Sequence, residues 1–90
     1  MTITIYSKLN CQYCGKAKDL LTKLGLTYKE KKFEEFASTE AMLKDIGKNV
    51  KTMPQIKIDG ELIGSYNQLI EHFADKGKVN FKGEVISDKG

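Results

Sequence analysis

The N-terminal segment TITIYSKLNCQYC, residues 2–14, combines a strand pattern with a cysteine pair and so indicates both the fold class and the chemistry. Ile3 and Ile5 alternate with threonines, and this period of two is typical of a short β-strand. Cys11 and Cys14 follow a few residues later, separated by two residues. A Cys-x-x-Cys pair in a chain without a signal peptide indicates redox chemistry or metal binding rather than a structural disulfide scaffold.

A helix is predicted to begin near Gln12 and to end at Gly25, because an apolar stripe with helical spacing lies between them. Its members are Ala17, Leu20, Leu21 and Leu24. Cys11 then lies at the helix N-terminus, where free backbone N–H groups and the helix dipole stabilise a thiolate. We therefore expect Cys11 to be the nucleophile, mostly ionised at neutral pH, and Cys14, nearly one turn later, to be the resolving cysteine.

The other elements follow from similar patterns. Asp59-Gly60 between two short apolar runs predicts a two-residue hairpin. A second strand is predicted over Leu26–Phe33. The second helix has its apolar stripe from Phe36 to Ile46, with a cap at Ser38 or Thr39 and an end at Gly47. The third helix has its stripe from Tyr66 to Phe73, with a cap at Ser65 or Asn67 and an end at Gly77. The order βαβαββα predicts a thioredoxin-like α/β fold, a mixed four-stranded sheet flanked by three or more helices.

Length and charge narrow the class of protein. Ninety residues suit one domain, which we place at 1–77, with a C-terminal tail at 78–90 that can pack in part. The net charge of +3 comes from lysine alone, and the absence of arginine argues against nucleic-acid binding. The small single domain predicts a monomer. The sequence has no long apolar run that would predict a membrane span or a leader, so we expect the protein in the reducing cytoplasm.

Two other uses of the cysteines are disfavoured. A structural zinc site takes four ligands, and the chain offers two cysteines and one histidine, so we expect no metal site. A cysteine hydrolase needs a histidine beside its nucleophile, and His72 is predicted to be a surface residue on the third helix.

Several spaced motifs between Ile3 and about Phe73 resemble those of the glutaredoxins. They are Ser7-Lys8 ahead of Cys11, the Cys-x-Tyr-Cys centre, Thr52-Met53-Pro54-Gln55 and the stretch from Ile63 to Leu69. The resemblance implies an electron-transport oxidoreductase that uses a redox-active disulfide and takes glutathione as co-substrate. Its partners would be glutathione and disulfide-bearing or glutathionylated proteins.

The resemblance also implies a glutathione-binding groove and a cis peptide bond before Pro54. The implied groove residues are Lys8, Tyr13, Thr52, Met53, Pro54, Gly64, Ser65, Tyr66 and Asn67. In this reading Lys8 attracts the glycine carboxylate, and the backbone of Met53 pairs with the central cysteine like an added strand. The N-terminus of the third helix, at Tyr66 and Asn67, receives the γ-glutamyl carboxylate.

Two rival functions stay open at this point. A redoxin that donates electrons to ribonucleotide reductase and is recharged by thioredoxin reductase shares the length and the cysteine spacing. Gln12 replaces a proline common in dithiol glutaredoxins, and some relatives that lack this proline hold a [2Fe-2S] cluster with glutathione between two protomers. Ser65 and Asn67 stand where relatives often have glycine and aspartate, which removes a negative charge from the implied groove.

Overall fold

The computed structural model describes residues 1–77, and the predicted packing of the tail at 78–90 lies outside them. The helices are α1 (Gln12–Lys23), α2 (Thr39–Ile46) and α3 (Tyr66–Asp75), and a 3₁₀ turn spans Phe33–Glu35. The strands are β1 (Ile3–Ser7), β2 (Lys29–Lys32), β3 (Gln55–Ile58) and β4 (Glu61–Gly64). No helix within residues 1–77 is long and apolar enough to cross a bilayer.

The four strands form one mixed sheet in the order β2-β1-β3-β4. β1 pairs with β2 in parallel through the α1 crossover and with β3 antiparallel, and β3 pairs antiparallel with β4. β1 therefore lies in the middle of the sheet, and its last residue, Ser7, leads directly into the loop that carries Cys11. The predicted thioredoxin-like architecture and its βαβαββα order are confirmed.

Helices cover the sheet on both faces and divide the core in two. One cluster joins α1 and α3 to the sheet through residues such as Ile5, Leu21 and Leu69, each fully buried. The other joins α2 to the sheet around Tyr6 and Met42. The alternation of β1 produces this division, since Ile3 and Ile5 belong to the first cluster and Tyr6 to the second.

Most of the predicted boundaries are correct because local chemistry sets them. Ser38 caps α2 by accepting a hydrogen bond from the amide of Ala41 at 3.1 Å, and Gly47 ends the helix at a φ of 92°. Asp59 and Gly60 make the tight β3–β4 turn with φ angles of 52° and 82°.

The predicted second strand is too long. The observed strand β2 covers only Lys29–Lys32, whereas the prediction ran from Leu26 to Phe33. Leu26 and Tyr28 lie ahead of β2 and pack against the first core cluster. Phe33 begins the 3₁₀ turn rather than ending the strand, and Phe36 precedes α2 but still packs on its core cluster. An apolar pattern reports burial, and burial does not require strand or helix pairing.

Candidate active site

The two cysteines lie at the N-terminus of α1 and form a disulfide, with Cα atoms 5.2 Å apart. Cys11 is the N-cap residue, in extended conformation, and Cys14 lies in the first turn. Sγ of Cys11 accepts a hydrogen bond from the amide of Cys14 at 3.1 Å. A backbone N–H aimed at this sulfur is the arrangement that stabilises a thiolate after reduction.

The two sulfurs differ in their access to solvent. Cys14 is only 3% exposed, whereas Cys11 is partly exposed. An attacking or attacked sulfur must be reachable by a partner, and of the two sulfurs that of Cys11 is the reachable one.

The loop before β3 meets the disulfide from the opposite side. The carbonyl oxygen of Met53 lies 3.6 Å from Sγ of Cys11, and the Met53–Pro54 peptide bond is cis. The buried amide group of Gln55 donates to the carbonyl oxygen of Thr52 at 2.9 Å and fixes the loop. Gln55 belongs to a motif quoted above but was not among the predicted site residues.

A groove of about 320 Å³ begins at this loop. Its lining consists of Tyr13, Thr52, Met53, Pro54, Ser65, Tyr66 and Asn67. The rings of Tyr13 and Tyr66 in this lining pack against each other, with their centroids 5.7 Å apart. The first turn of α3, whose backbone N–H groups have no partner within the helix, also opens onto the groove.

Two predicted site residues do not line this groove. Gly64 is the last residue of β4, and at a φ of 127° it turns the chain toward α3. Lys8 lines a second cavity, of about 550 Å³, on the other side of Cys11. Cys11 and Cys14 line the same second cavity, so the disulfide and Lys8 lie together beside the groove rather than within it.

A charged cluster that the sequence did not reveal also lines the second cavity. Oε2 of Glu30 accepts hydrogen bonds from Ser7 Oγ at 2.6 Å and from Lys18 Nζ at 3.0 Å. Burial alone would raise the pKa of Glu30, but the bonds from Ser7 and Lys18 hold it below its usual range. The three residues are separated in sequence by 11 and 12 positions, so no local pattern connects them.

His72 is placed differently from the prediction. It is partly buried, its ring lies edge-on to Phe73 at 5.1 Å, and its Nε2 is buried without a hydrogen-bond partner among residues 1–77. The interpretation as a simple surface residue is therefore wrong. Helical periodicity predicts which face of a helix carries a side chain, but it does not predict how deeply the end of that side chain is buried.

Comparison with known proteins settles the family. Residues 3–63 match the family model described as Glutaredoxin. The chain belongs to the glutaredoxin family. Members of this family are thiol-disulfide oxidoreductases, and the Cys11–Cys14 disulfide is the redox centre that such chemistry requires.

Glutaredoxin relatives match over most of the chain. Glutaredoxin 3 of Escherichia coli is 38% identical over 68 residues, which cover 74% of this chain and 80% of that protein. The solved structure of reduced Escherichia coli glutaredoxin superposes with a TM-score of 0.71 at 31% identity, covering 83% of this chain and 95% of the other. The buckwheat glutaredoxin–glutathione complex gives a TM-score of 0.69 at 27% identity, covering 82% and 69% of the two chains.

Proposed function

We propose that this glutaredoxin uses glutathione to reduce protein disulfides and glutathione mixed disulfides. The observation that carries the proposal is the partly exposed Cys11, at the N-terminus of α1, whose Sγ meets Met53 at the edge of the groove. A glutaredoxin of similar structure has been solved as a glutathione complex, which supports the same ligand here.

The groove matches the chemistry of glutathione part by part. The backbone of Met53 offers strand-like hydrogen bonds to the tripeptide's cysteine, and the packed rings of Tyr13 and Tyr66 contribute a wall of the groove. The first turn of α3, at Tyr66 and Asn67, offers backbone N–H groups to the γ-glutamyl carboxylate. Lys8, exposed beside Cys11, supplies a cation for the glycine carboxylate.

Reduction of a glutathione mixed disulfide needs only one cysteine of the protein. The Cys11 thiolate attacks the glutathione sulfur of the mixed disulfide and forms a new disulfide with glutathione. The substrate sulfur departs as a thiolate and takes a proton from water. A second glutathione thiolate attacks the bound glutathione sulfur, which frees Cys11 and yields oxidised glutathione.

Reduction of a protein disulfide needs both cysteines. Cys11 first forms a mixed disulfide with one substrate sulfur, and the other substrate sulfur leaves as a thiol after protonation. Cys14 then loses its proton and attacks Sγ of Cys11, which releases the second substrate thiol and forms the Cys11–Cys14 disulfide. Two glutathione molecules supply the two electrons that reopen it.

Single-cysteine variants test this division of roles. We expect Cys11→Ser to abolish reduction of a glutathionylated test peptide, because no thiolate remains to attack. Cys14→Ser should keep most of that activity but lose reduction of an internal protein disulfide. Equal activity of wild type and both variants in a coupled glutathione-reductase assay would rule out the proposal.

Alkylation kinetics test the proposed state of Cys11 in the reduced protein. If the helix N-terminus and the Cys14 amide stabilise the thiolate, the rate of iodoacetamide labelling at Cys11 should reach half its plateau near or below about pH 7, against about 8.5 for an ordinary thiol. Cys14→Ser serves as the background, so that only one sulfur reacts. A midpoint at or above about pH 8 would contradict the expected thiolate.

Two rival functions make different predictions for the same preparation. A redoxin recharged by thioredoxin reductase would turn over faster with that reductant than with glutathione. A glutathione-ligated [2Fe-2S] carrier would be brown after anaerobic purification with glutathione. A cluster held with glutathione between two protomers would draw one sulfur from each chain, and Cys11 is the accessible one because Cys14 is buried, so the colour of the preparation decides between the two roles.

The proposal includes a monomer working in the cytoplasm. A reducing compartment keeps Cys11 available as a thiolate between reaction cycles. Sedimentation of the reduced protein and fractionation of cells that express it test the two parts.

A further inference from the structure

An apolar cavity of about 520 Å³ lies beside the glutathione groove and shares Met53 with it. Met42, Leu43 and Val50 form its apolar floor, and these side chains are buried or half-buried. Phe33 lines it too and is 39% exposed. A concave apolar surface of this size is suited to hold a large side chain.

The cavity also has a charge preference. Lys8 and Lys51 line it, both are exposed, and no carboxylate lines it among residues 1–77. The cavity lined by the disulfide carries both signs, because Glu30 and Glu34 line it together with Lys8, Lys18 and Lys32. An acidic group on a ligand would therefore meet cations without competing carboxylates in the apolar cavity, but both signs in the other.

The position of the cavity connects it to the chemistry. Met53 belongs to both the groove and the cavity, and its carbonyl oxygen lies 3.6 Å from Sγ of Cys11. An extended chain advances about 3.3 Å per residue. A peptide whose cysteine is bonded to Cys11 can therefore place one of the next residues in the cavity.

Glutathione has no group that fills this space. The residue after its cysteine is glycine, which has no side chain, and the tripeptide ends there. A protein substrate continues beyond its cysteine and carries side chains. The apolar floor therefore has a use only for the larger class of substrate.

We propose that this cavity, which we call the flanking subsite, selects protein disulfides whose reacting cysteine is followed by a bulky apolar residue and an acidic residue. The apolar side chain packs on Leu43, Val50 and Phe33, and the carboxylate lies near Lys8 and Lys51. This inference rests on the proposed disulfide reductase function and names its substrate class. The subsite acts during binding and leaves the bond exchanges described above unchanged.

Single-turnover kinetics with three short peptides test the subsite. Pre-reduced protein, without glutathione, is mixed with the oxidised dimers of acetyl-Gly-Cys-Phe-Asp-amide, acetyl-Gly-Cys-Ser-Asp-amide and acetyl-Gly-Cys-Phe-Lys-amide. We expect the second-order rate constant for the Phe-Asp peptide to exceed that for the Ser-Asp peptide roughly tenfold, as one well-packed apolar group allows. It should also exceed the Phe-Lys rate, and this second difference should shrink as salt is added.

A matched pair of variants locates the effect. Phe33→Ala should remove most of the preference for Phe-Asp over Ser-Asp, whereas Leu9→Ala, which truncates a side chain 67% exposed on the other side of Cys11, should keep it. Lys51→Gln should weaken the preference for Asp over Lys. All three variants should reduce the glutathione mixed disulfide of 2-mercaptoethanol at the wild-type rate.

The outcomes separate this inference from the proposed function. Equal rates for the three peptides, or an equal effect of Phe33→Ala and Leu9→Ala, would overturn the subsite even if glutathione-dependent activity is normal. Loss of self-association in Phe33→Ala with unchanged peptide preference would assign the surface to a second copy of the chain and also overturn it. Inactivity of the wild type with glutathione, alongside intact peptide preference, would instead refute the glutathione proposal.

Discussion

Tyr6 and Asp45 show how single side chains join α2 to the sheet. Tyr6, at 2% exposure, donates its hydroxyl hydrogen to Oδ2 of Asp45 at 2.7 Å, and Lys31 donates to the same oxygen at 2.9 Å. Lys57 donates to the backbone carbonyl oxygen of Asp45 at 2.8 Å. Burial, then the bond to Asp45, raises the pKa of Tyr6, so the phenol stays protonated and remains a donor.

Tyr6→Phe should lower the free energy of unfolding by about 1–2 kcal/mol, because it leaves a partly buried carboxylate without one charge-assisted hydrogen bond. Urea denaturation measures the change. Tyr28→Phe is the control, since the hydroxyl of Tyr28 makes no hydrogen bond within the described residues. Equal losses in the two variants would mean that the bond between Tyr6 and Asp45 adds no stability.

Asp45 and Glu30 also make stability depend on acid. The hydrogen bonds from Tyr6 and Lys31 hold the pKa of Asp45 below its usual range, and that of Glu30 is lowered as described above. A carboxyl group with a lower pKa when folded stabilises the protein fully above its unfolded pKa, near 4. This contribution is lost as the pH falls through the folded pKa.

Urea titrations between about pH 2 and 7 should therefore show the wild type losing stability below about pH 4. Asp45→Asn should be less stable at neutral pH and should lose less on acidification. Glu71→Gln, which changes an exposed carboxylate outside both clusters, should follow the wild-type curve. Parallel curves for wild type and Asp45→Asn would show that Asp45 is not a source of the acid dependence.

At the scale of the elements, the start of α2 depends on one side chain. Ser38→Ala removes the hydrogen bond to the amide of Ala41 and should destabilise the protein by about 0.5–2 kcal/mol. Ser38→Asp keeps an acceptor at the N-cap and should retain most of the stability. Thermal unfolding of the wild type and the two variants measures the change in stability. Equal losses of stability in Ser38→Ala and Ser38→Asp would rule out capping as the cause.

Local signals explain which elements could be predicted. A cap, a left-handed glycine or a hairpin dipeptide acts within a few residues, so the sequence alone predicts Gly47, Asp59-Gly60 and a cap at Ser38 or Thr39, of which the structure uses Ser38. Cys11 at the start of α1 belongs to the same group. The predicted start of β2 is wrong because Leu26 and Tyr28 are half-buried against the core ahead of the strand.

Long-range contacts explain what the sequence could not provide. Tyr6 and Asp45 are 39 positions apart, and Ser7 and Glu30 are 23 apart, so neither pair leaves a local pattern. The cis bond at Pro54 and the groove residues were expected only through the resemblance to glutaredoxins. The flanking subsite depends on three separate segments meeting, which sequence spacing does not predict.

At the scale of the whole molecule, stability depends on helices packed on both faces of one sheet. Leu21 is fully buried among α1, α3 and the sheet, whereas Leu24 on the same helix is half-buried. Leu21→Ala should cost about 2–5 kcal/mol, and Leu24→Ala should cost less. Guanidinium denaturation measures the free energy of unfolding of both variants. A larger loss in Leu24→Ala than in Leu21→Ala would contradict the deeper burial of Leu21.

The edge strand β2 limits how another chain can approach the sheet. β2 is only four residues long, Lys-Glu-Lys-Lys, and lies at the border of the sheet. Short, charged border strands discourage incoming chains from extending the sheet into a fibrillar stack. We therefore expect other chains not to pair with the backbone of β2. A chain that approaches Cys11 for thiol-disulfide exchange can do so without aggregating on the sheet edge.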